Sequence, residues 1–282
     1  MITLAQILWC FIVPLAIALV VFWPRWRWTG ALAVGAAFIV GHVGWPGVPE
    51  FPPSTGGDWI FWLAGPLTVV GLVEALVVRM PAWLRAILSS VASIALIWIM
   101  LRPLMPQTLT PAQAGTGAAL FGLAAALAVE STHLLARREQ GMSVSLALML
   151  MLVTLAGGIM LLASGSLIQG FLAGPLVATT IAALILTRRQ PWTRVGGPLV
   201  LLVLLVGLLA RSHFYNYDGA TTPMVLLVIL APLSGWTARL PGISRLSPWK
   251  RTVITLIAVL IPLGIAMALT IANQPEPNPY GY

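Results

Sequence analysis

Ten predominantly apolar stretches, separated by short polar turns, constrain this chain more than any motif in it. They fall at 2–23, 29–45, 59–78, 82–101, 113–135, 142–164, 167–187, 196–211, 222–238 and 252–272. A helix needs about 20 mostly apolar residues to cross ~30 Å of hydrocarbon. In lipid, backbone polar groups must be satisfied inside the chain. The expected fold is therefore all-α: a polytopic integral membrane bundle of about ten helices. It forms one domain over 1–272, followed by a Pro-rich, non-cytoplasmic tail over 273–282. With 59% hydrophobic and only 8% charged residues, no large soluble domain can be accommodated.

The opening MITLAQILWCFIVPL lacks the positive n-region and small-residue cleavage site of a secretory signal, so the first stretch is read as a mature helix. Cys10 is the single cysteine, which excludes an intramolecular disulfide and a cysteine-built metal cluster.

Charge placement gives the expected sidedness. Of the fifteen basic residues, all but Arg102 and Arg211 fall in alternate turns, after the first, third, fifth, seventh and ninth stretches. Cytoplasmic loops carry such an excess, so these turns are expected inside the cell and both termini outside it. Tryptophan, which favours the interface, follows the same division: Trp23, Trp26, Trp28, Trp83, Trp192, Trp236 and Trp249 sit with the arginines, and Trp45, Trp59, Trp62 and Trp98 at the other ends. A net charge of +8 does not point to nucleic acid, because the arginines are dispersed between apolar spans rather than gathered on one soluble face. The absence of an Asn-x-Ser/Thr acceptor is compatible with a bacterial inner membrane.

An internal repeat runs through these turns. Leu63-Ala64-Gly65-Pro66-Leu67 recurs as Leu172-Ala173-Gly174-Pro175-Leu176, and Pro232-Leu233 makes a third, shorter copy. Seventeen residues after each proline comes a Trp-x-Arg pair: Trp83 and Arg85, Trp192 and Arg194, Trp249 and Arg251. The unit reads as a helical hairpin bent at its proline and anchored at the interface by Trp and Arg, and five parallel hairpins would make the protein. Proline frees the carbonyl four residues earlier, so the bends at Pro66, Pro175 and Pro232 are expected to face other helices or water.

Two acids, Glu74 and Glu130, lie inside apolar stretches. A carboxylate at mid-membrane costs about 2.5 to 3.5 kcal/mol on insertion scales, which makes both functional candidates. Glu74 precedes Arg79 by five residues, so pairing or snorkelling at the interface accounts for it. Glu130 has His133 one turn on, on the same helix face, a pair suited to relaying a proton. The segment holding them, AGTGAALFGLAAALAVESTH, is rich in Gly and Ala, and that helix is expected to be central. At the other end His42, His213, Asp58 and Asp218 are the residues from which an outer metal site would have to come, without ligand spacing to support one. The chain has no phosphate-binding Gly loop, no Gly-x-Ser-x-Gly and no His-Glu-x-x-His, so no cofactor and no soluble-style catalytic centre is called for.

The leading expectation is a permease or carrier for a small solute or lipid, with Glu130 and His133 near its path. The alternative is a non-catalytic subunit or scaffold with protein partners or further copies of itself. An intramembrane lipid-processing enzyme using the outer His and Asp residues ranks last. The bilayer is the one partner that all three readings share.

Overall fold

The computed structural model describes residues 3–24, 26, 28–77, 80–105, 108–138, 143–186, 196–216 and 220–273. They form ten helices and, among the described residues, no strand. These are α1 (Leu4–Phe22), α2 (Thr29–Gly44), α3 (Gly56–Leu76), α4 (Ala82–Leu101), α5 (Pro111–Arg138), α6 (Ser143–Ala163), α7 (Leu167–Leu186), α8 (Gly197–Tyr215), α9 (Thr222–Leu230) and α10 (Pro248–Ala272). Counting the 3₁₀ continuation of α9 through Arg239, nine of them are long and apolar enough to cross a membrane. The exception, α2, has 16 residues, roughly 24 Å at 1.5 Å per residue. The protein is an all-α polytopic bundle.

Helix ends depart from the apolar windows where capping carries the helix into polar sequence. A capping box in which Thr55 and Asp58 satisfy each other's backbone N–H groups starts α3 at Gly56, ahead of the apolar run. At its distal end α8 likewise runs beyond the apolar stretch, from Ala210 to Tyr215, which gives it 19 residues.

The central helix is α8. Every residue from Gly197 to Ala210 is buried, as befits a helix that is Leu- and Val-rich all round. This corrects the expectation for α5, whose small residues instead let it lie against two neighbours, Gly117 against Phe214 of α8 and Gly122 against α4. A Cβ on Gly122 would stand 2.8 Å from the backbone N and Cα of Ile94, so glycine lets α5 lie directly on the α4 backbone. The α4–α5 and α6–α7 pairs, each joined at the end away from the arginine-bearing turns, pack most extensively. Successive helices α5 and α6, expected to form one hairpin, barely touch, so the five hairpins are not equivalent packing units.

The three repeat prolines also differ. Pro175 is buried inside a continuous α7, against Gly41 of α2, where a Cβ would meet its ring. Pro232 is buried where α9 changes into a 3₁₀ helix, Ala231–Arg239; the Ala231 N–H bonds Val228, the carbonyl that the proline leaves free. Pro66 is exposed on the bundle surface, in an apolar groove of about 170 Å³ between α3 and α4.

Candidate functional site

At the arginine-bearing end, α3, α4 and α5 bring four ionisable side chains together: Glu74, Arg85, Glu130 and His133. Each arrives by a short local rule. Glu74 lies near the end of α3, on the face that also buries Gly71 and Ala75. On α4 the buried positions Arg85, Ser89 and Ser93 recur every four residues, so the guanidinium points into the bundle from the first turn. One turn apart on α5, Glu130 and His133 share a face.

The geometry is that of a forked ion pair backed by a second acid and an imidazole. Arg85 Nε donates to Glu130 Oε1 at 2.9 Å and to Oε2 at 3.3 Å, and Nη2 donates to Oε2 at 3.0 Å. Such bidentate pairing is the strongest a guanidinium makes. Behind it, Glu74 Oε1 stands 3.8 Å from Arg85 Nε and 3.0 Å from His133 Nδ1, while His133 Nδ1 is 4.0 Å from Glu130 Oε1. Arg85 is 1% exposed, Glu74 5% and His133 0%, whereas the Glu130 side chain retains 16%. Glu130 is thus the quartet's opening to its surroundings. The His133–Glu74 approach lacks hydrogen-bond geometry, and Glu74 Oε2 and both His133 nitrogens are buried without a hydrogen-bond partner. With both acids ionised, Arg85 pairs with one of them at bonding distance, and Arg137 is the further cation within electrostatic range of Glu74. The quartet is neutral when it holds one further proton, and a buried, uncompensated charge is costly.

From the quartet a polar line climbs α4. Ser89 donates to Ala86 O at 3.1 Å, and Ser93 Oγ, roughly 12 Å above Arg85 along the helix axis, is fully buried without a hydrogen-bond partner. On the other flank Trp236 Nε1 donates to Ser131 Oγ at 2.8 Å, tying the 3₁₀ segment to the residue beside Glu130.

These contacts revise several expectations. Glu74 is not a snorkelling interface acid; α3 ends at Leu76, which leaves Glu74 within the bundle beside Arg85. His133 approaches Glu74 more closely than its helix neighbour Glu130. Arg85 is no interface anchor. Its partner in the repeat, Trp83, is exposed, as are Trp249 and, beside it, Lys250, whose Nζ sits 5.7 Å over the Trp249 ring. Arg251 braces the turn before α10, donating from Nη2 to Ser244 O at 2.8 Å. Trp192, Arg194 and Asp218 lie outside the described residues. The sign of Arg85's role was present in the sequence, since α4 is apolar on both sides of it, but Trp-x-Arg spacing suggested a turn.

At the opposite, distal end the residues considered for a metal have other work. Asp58 Oδ2 accepts from Thr55 N at 3.0 Å and from Thr55 Oγ1 at 2.8 Å, which makes it a helix cap. His42 Nδ1 is 3.0 Å from Gly47 O, and His213 Nδ1 is 2.7 Å from Ala220 O. Among the described residues no group of three or more His, Cys, Asp or Glu side chains is placed to hold a metal ion. What gathers there is a set of neutral polar groups around Arg211, one of the two basic residues outside the alternate turns. With its amide oxygen turned to the guanidinium, Gln169 accepts from Arg211 Nε at 3.1 Å and Nη1 at 3.2 Å. Ser166 Oγ lies 2.7 Å from Ser212 Oγ and accepts from Asn216 Nδ2. Tyr215 OH donates to Met100 O at 2.6 Å. No protein family matches this sequence, and neither a curated protein nor a solved structure is similar to it.

Proposed function

We propose that the chain is a membrane carrier for a small solute or lipid in which Glu74, Arg85, Glu130 and His133 take up and release a proton. The observation that carries this reading is the unused capacity at the centre of the quartet. Glu74 Oε2 and both imidazole nitrogens are buried and unbonded beside a complete Arg85–Glu130 pair. A pair that only clamped α4 to α5 has no need of a second acid and an imidazole there. Glu130, the partly exposed member, is the entry, and Ser89 and Ser93 extend the polar line toward mid-span. The positive-inside rule assigns the quartet's end to the cytoplasm and both termini to the outside, and a bacterial inner membrane is the setting this reading adopts.

The test is proton movement into proteoliposomes with an entrapped pH-sensitive dye, for the wild type and for Glu74→Gln and Glu130→Gln. The expected result is flux in the wild type that both substitutions abolish while the unfolding midpoint stays within a few degrees. Equal flux from all three proteins, or none from the wild type, counts against the reading.

A second reading, a non-catalytic membrane subunit, is favoured by one feature: Leu and Val of α8 fill the bundle axis between the two polar ends. Stable co-purification with partner chains from native membranes, together with a wild type silent in the flux assay, would select it.

A further inference from the structure

We infer that the distal end, where α3, α7 and α8 meet, binds a phosphate-type oxyanion with Arg211 as its anchoring cation. The inference is independent of the proton-handling reading. Arg211 is the one charged side chain on the central helix, drawn in near its distal end and half-buried. Half-buried, the guanidinium is partly withdrawn from water, and a compensating anion is favoured there. Among the described residues no carboxylate comes within salt-bridge distance of it. Asp58 is near enough to interact electrostatically, but its Oδ2 is held by Thr55 and Ser54 in the α3 cap. The acceptor Arg211 does have, Gln169, is neutral.

The backbone around the guanidinium adds to the imbalance. Its Nη1, Nη2 and Cζ lie where a Cβ on Gly57 would stand, so the cation rests on the first turn of α3. Gln169 brings it to the first turn of α7. Helix N-termini carry partial positive charge and attract anions. Two such ends and a guanidinium converge, with one capped acid to offset them. That arrangement repels a metal cation and suits an anion. Arg211 gives Nε and one Nη1 hydrogen to Gln169, which leaves its outer Nη1–Nη2 edge to take two oxygens of a phosphate, a geometry that lysine cannot reproduce. Phosphate chemistry reaches this end of the bundle either on a lipid headgroup or as a free phosphate.

The experiment follows the unfolding midpoint of the purified full chain in an uncharged detergent at constant ionic strength. It is titrated with inorganic phosphate in one arm and with a short-chain phosphatidic acid in the other. A saturable rise in the wild type is expected, lost in Arg211→Gln, weakened about tenfold in Arg211→Lys, and kept in Arg102→Gln, which removes an exposed arginine at the same end. A response to the lipid alone identifies a headgroup site; a response to both identifies a site for free phosphate as well. No rise with either probe overturns the proposal, as does an equal rise in the wild type and Arg211→Gln. If Arg211→Gln does not fold, Arg211→Lys decides: a response equal to the wild type's overturns it.

Discussion

Glu74 Oε1 and His133 Nδ1 stand 3.0 Å apart inside the bundle, one on α3 and the other on α5, with Arg85 from α4 between the two acids they accompany. Three helices are therefore joined by one charge cluster, and removing its cation should be far more damaging than removing any one apolar contact nearby. Arg85→Leu leaves two neighbouring carboxylates without the cation that pairs with them, and breaking a buried ion pair by removing one partner costs about 3 to 5 kcal/mol. Arg85→Leu combined with Glu130→Leu should recover a large part of that loss. Unfolding in a denaturing detergent, followed by tryptophan fluorescence, checks both. A double variant no more stable than the single one contradicts this account.

Ser93 separates a structural from a conducting role for the polar line on α4. Its hydroxyl is buried without a partner, and leaving such a group unsatisfied costs about 1 to 3 kcal/mol. Ser93→Ala should raise the unfolding midpoint slightly while slowing proton flux in the dye assay. A stabilised variant with full flux removes Ser93 from the path.

Two glycines predict opposite responses to the same substitution. At Gly122 a new Cβ stands 2.6 to 2.8 Å from Ile94 atoms, backbone included, so Gly122→Ala should push α4 and α5 apart at a cost of about 1 to 3 kcal/mol. Gly264, in α10, has open space around it, and Gly264→Ala should be neutral or stabilise by up to about 1 kcal/mol through helix propensity. Comparative thermal unfolding in one detergent tests the pair.

Orientation is open to direct labelling because the one native cysteine, Cys10, is buried. In a Cys10→Ser background, Trp83→Cys and Asn273→Cys should react with a membrane-impermeant maleimide from opposite faces, the former from the cytoplasm. Reaction of both from one face would reverse or break the assigned threading.

Hydrophobic period and length were enough to specify ten helices and their order, because lipid leaves a chain of such stretches few ways to satisfy its backbone. Intramembrane acids were equally visible as exceptions, and both Glu74 and Glu130 do belong to one cluster. What local sequence could not carry was direction around each helix axis. Arg85 lies two residues from an exposed Trp83 and reads as a turn residue, yet a rotation of about 200° about α4 aims it inward. The same holds for Pro66 and Pro175, alike in sequence context and opposite in burial. Tertiary packing alone decided that α8 rather than the Gly- and Ala-rich α5 holds the centre, since a helix apolar on every face gains most from being surrounded. Pairings across α3, α4 and α5, and the gathering of neutral groups around Arg211, depend on contacts far apart in the chain, and such contacts leave no period for a sequence to display.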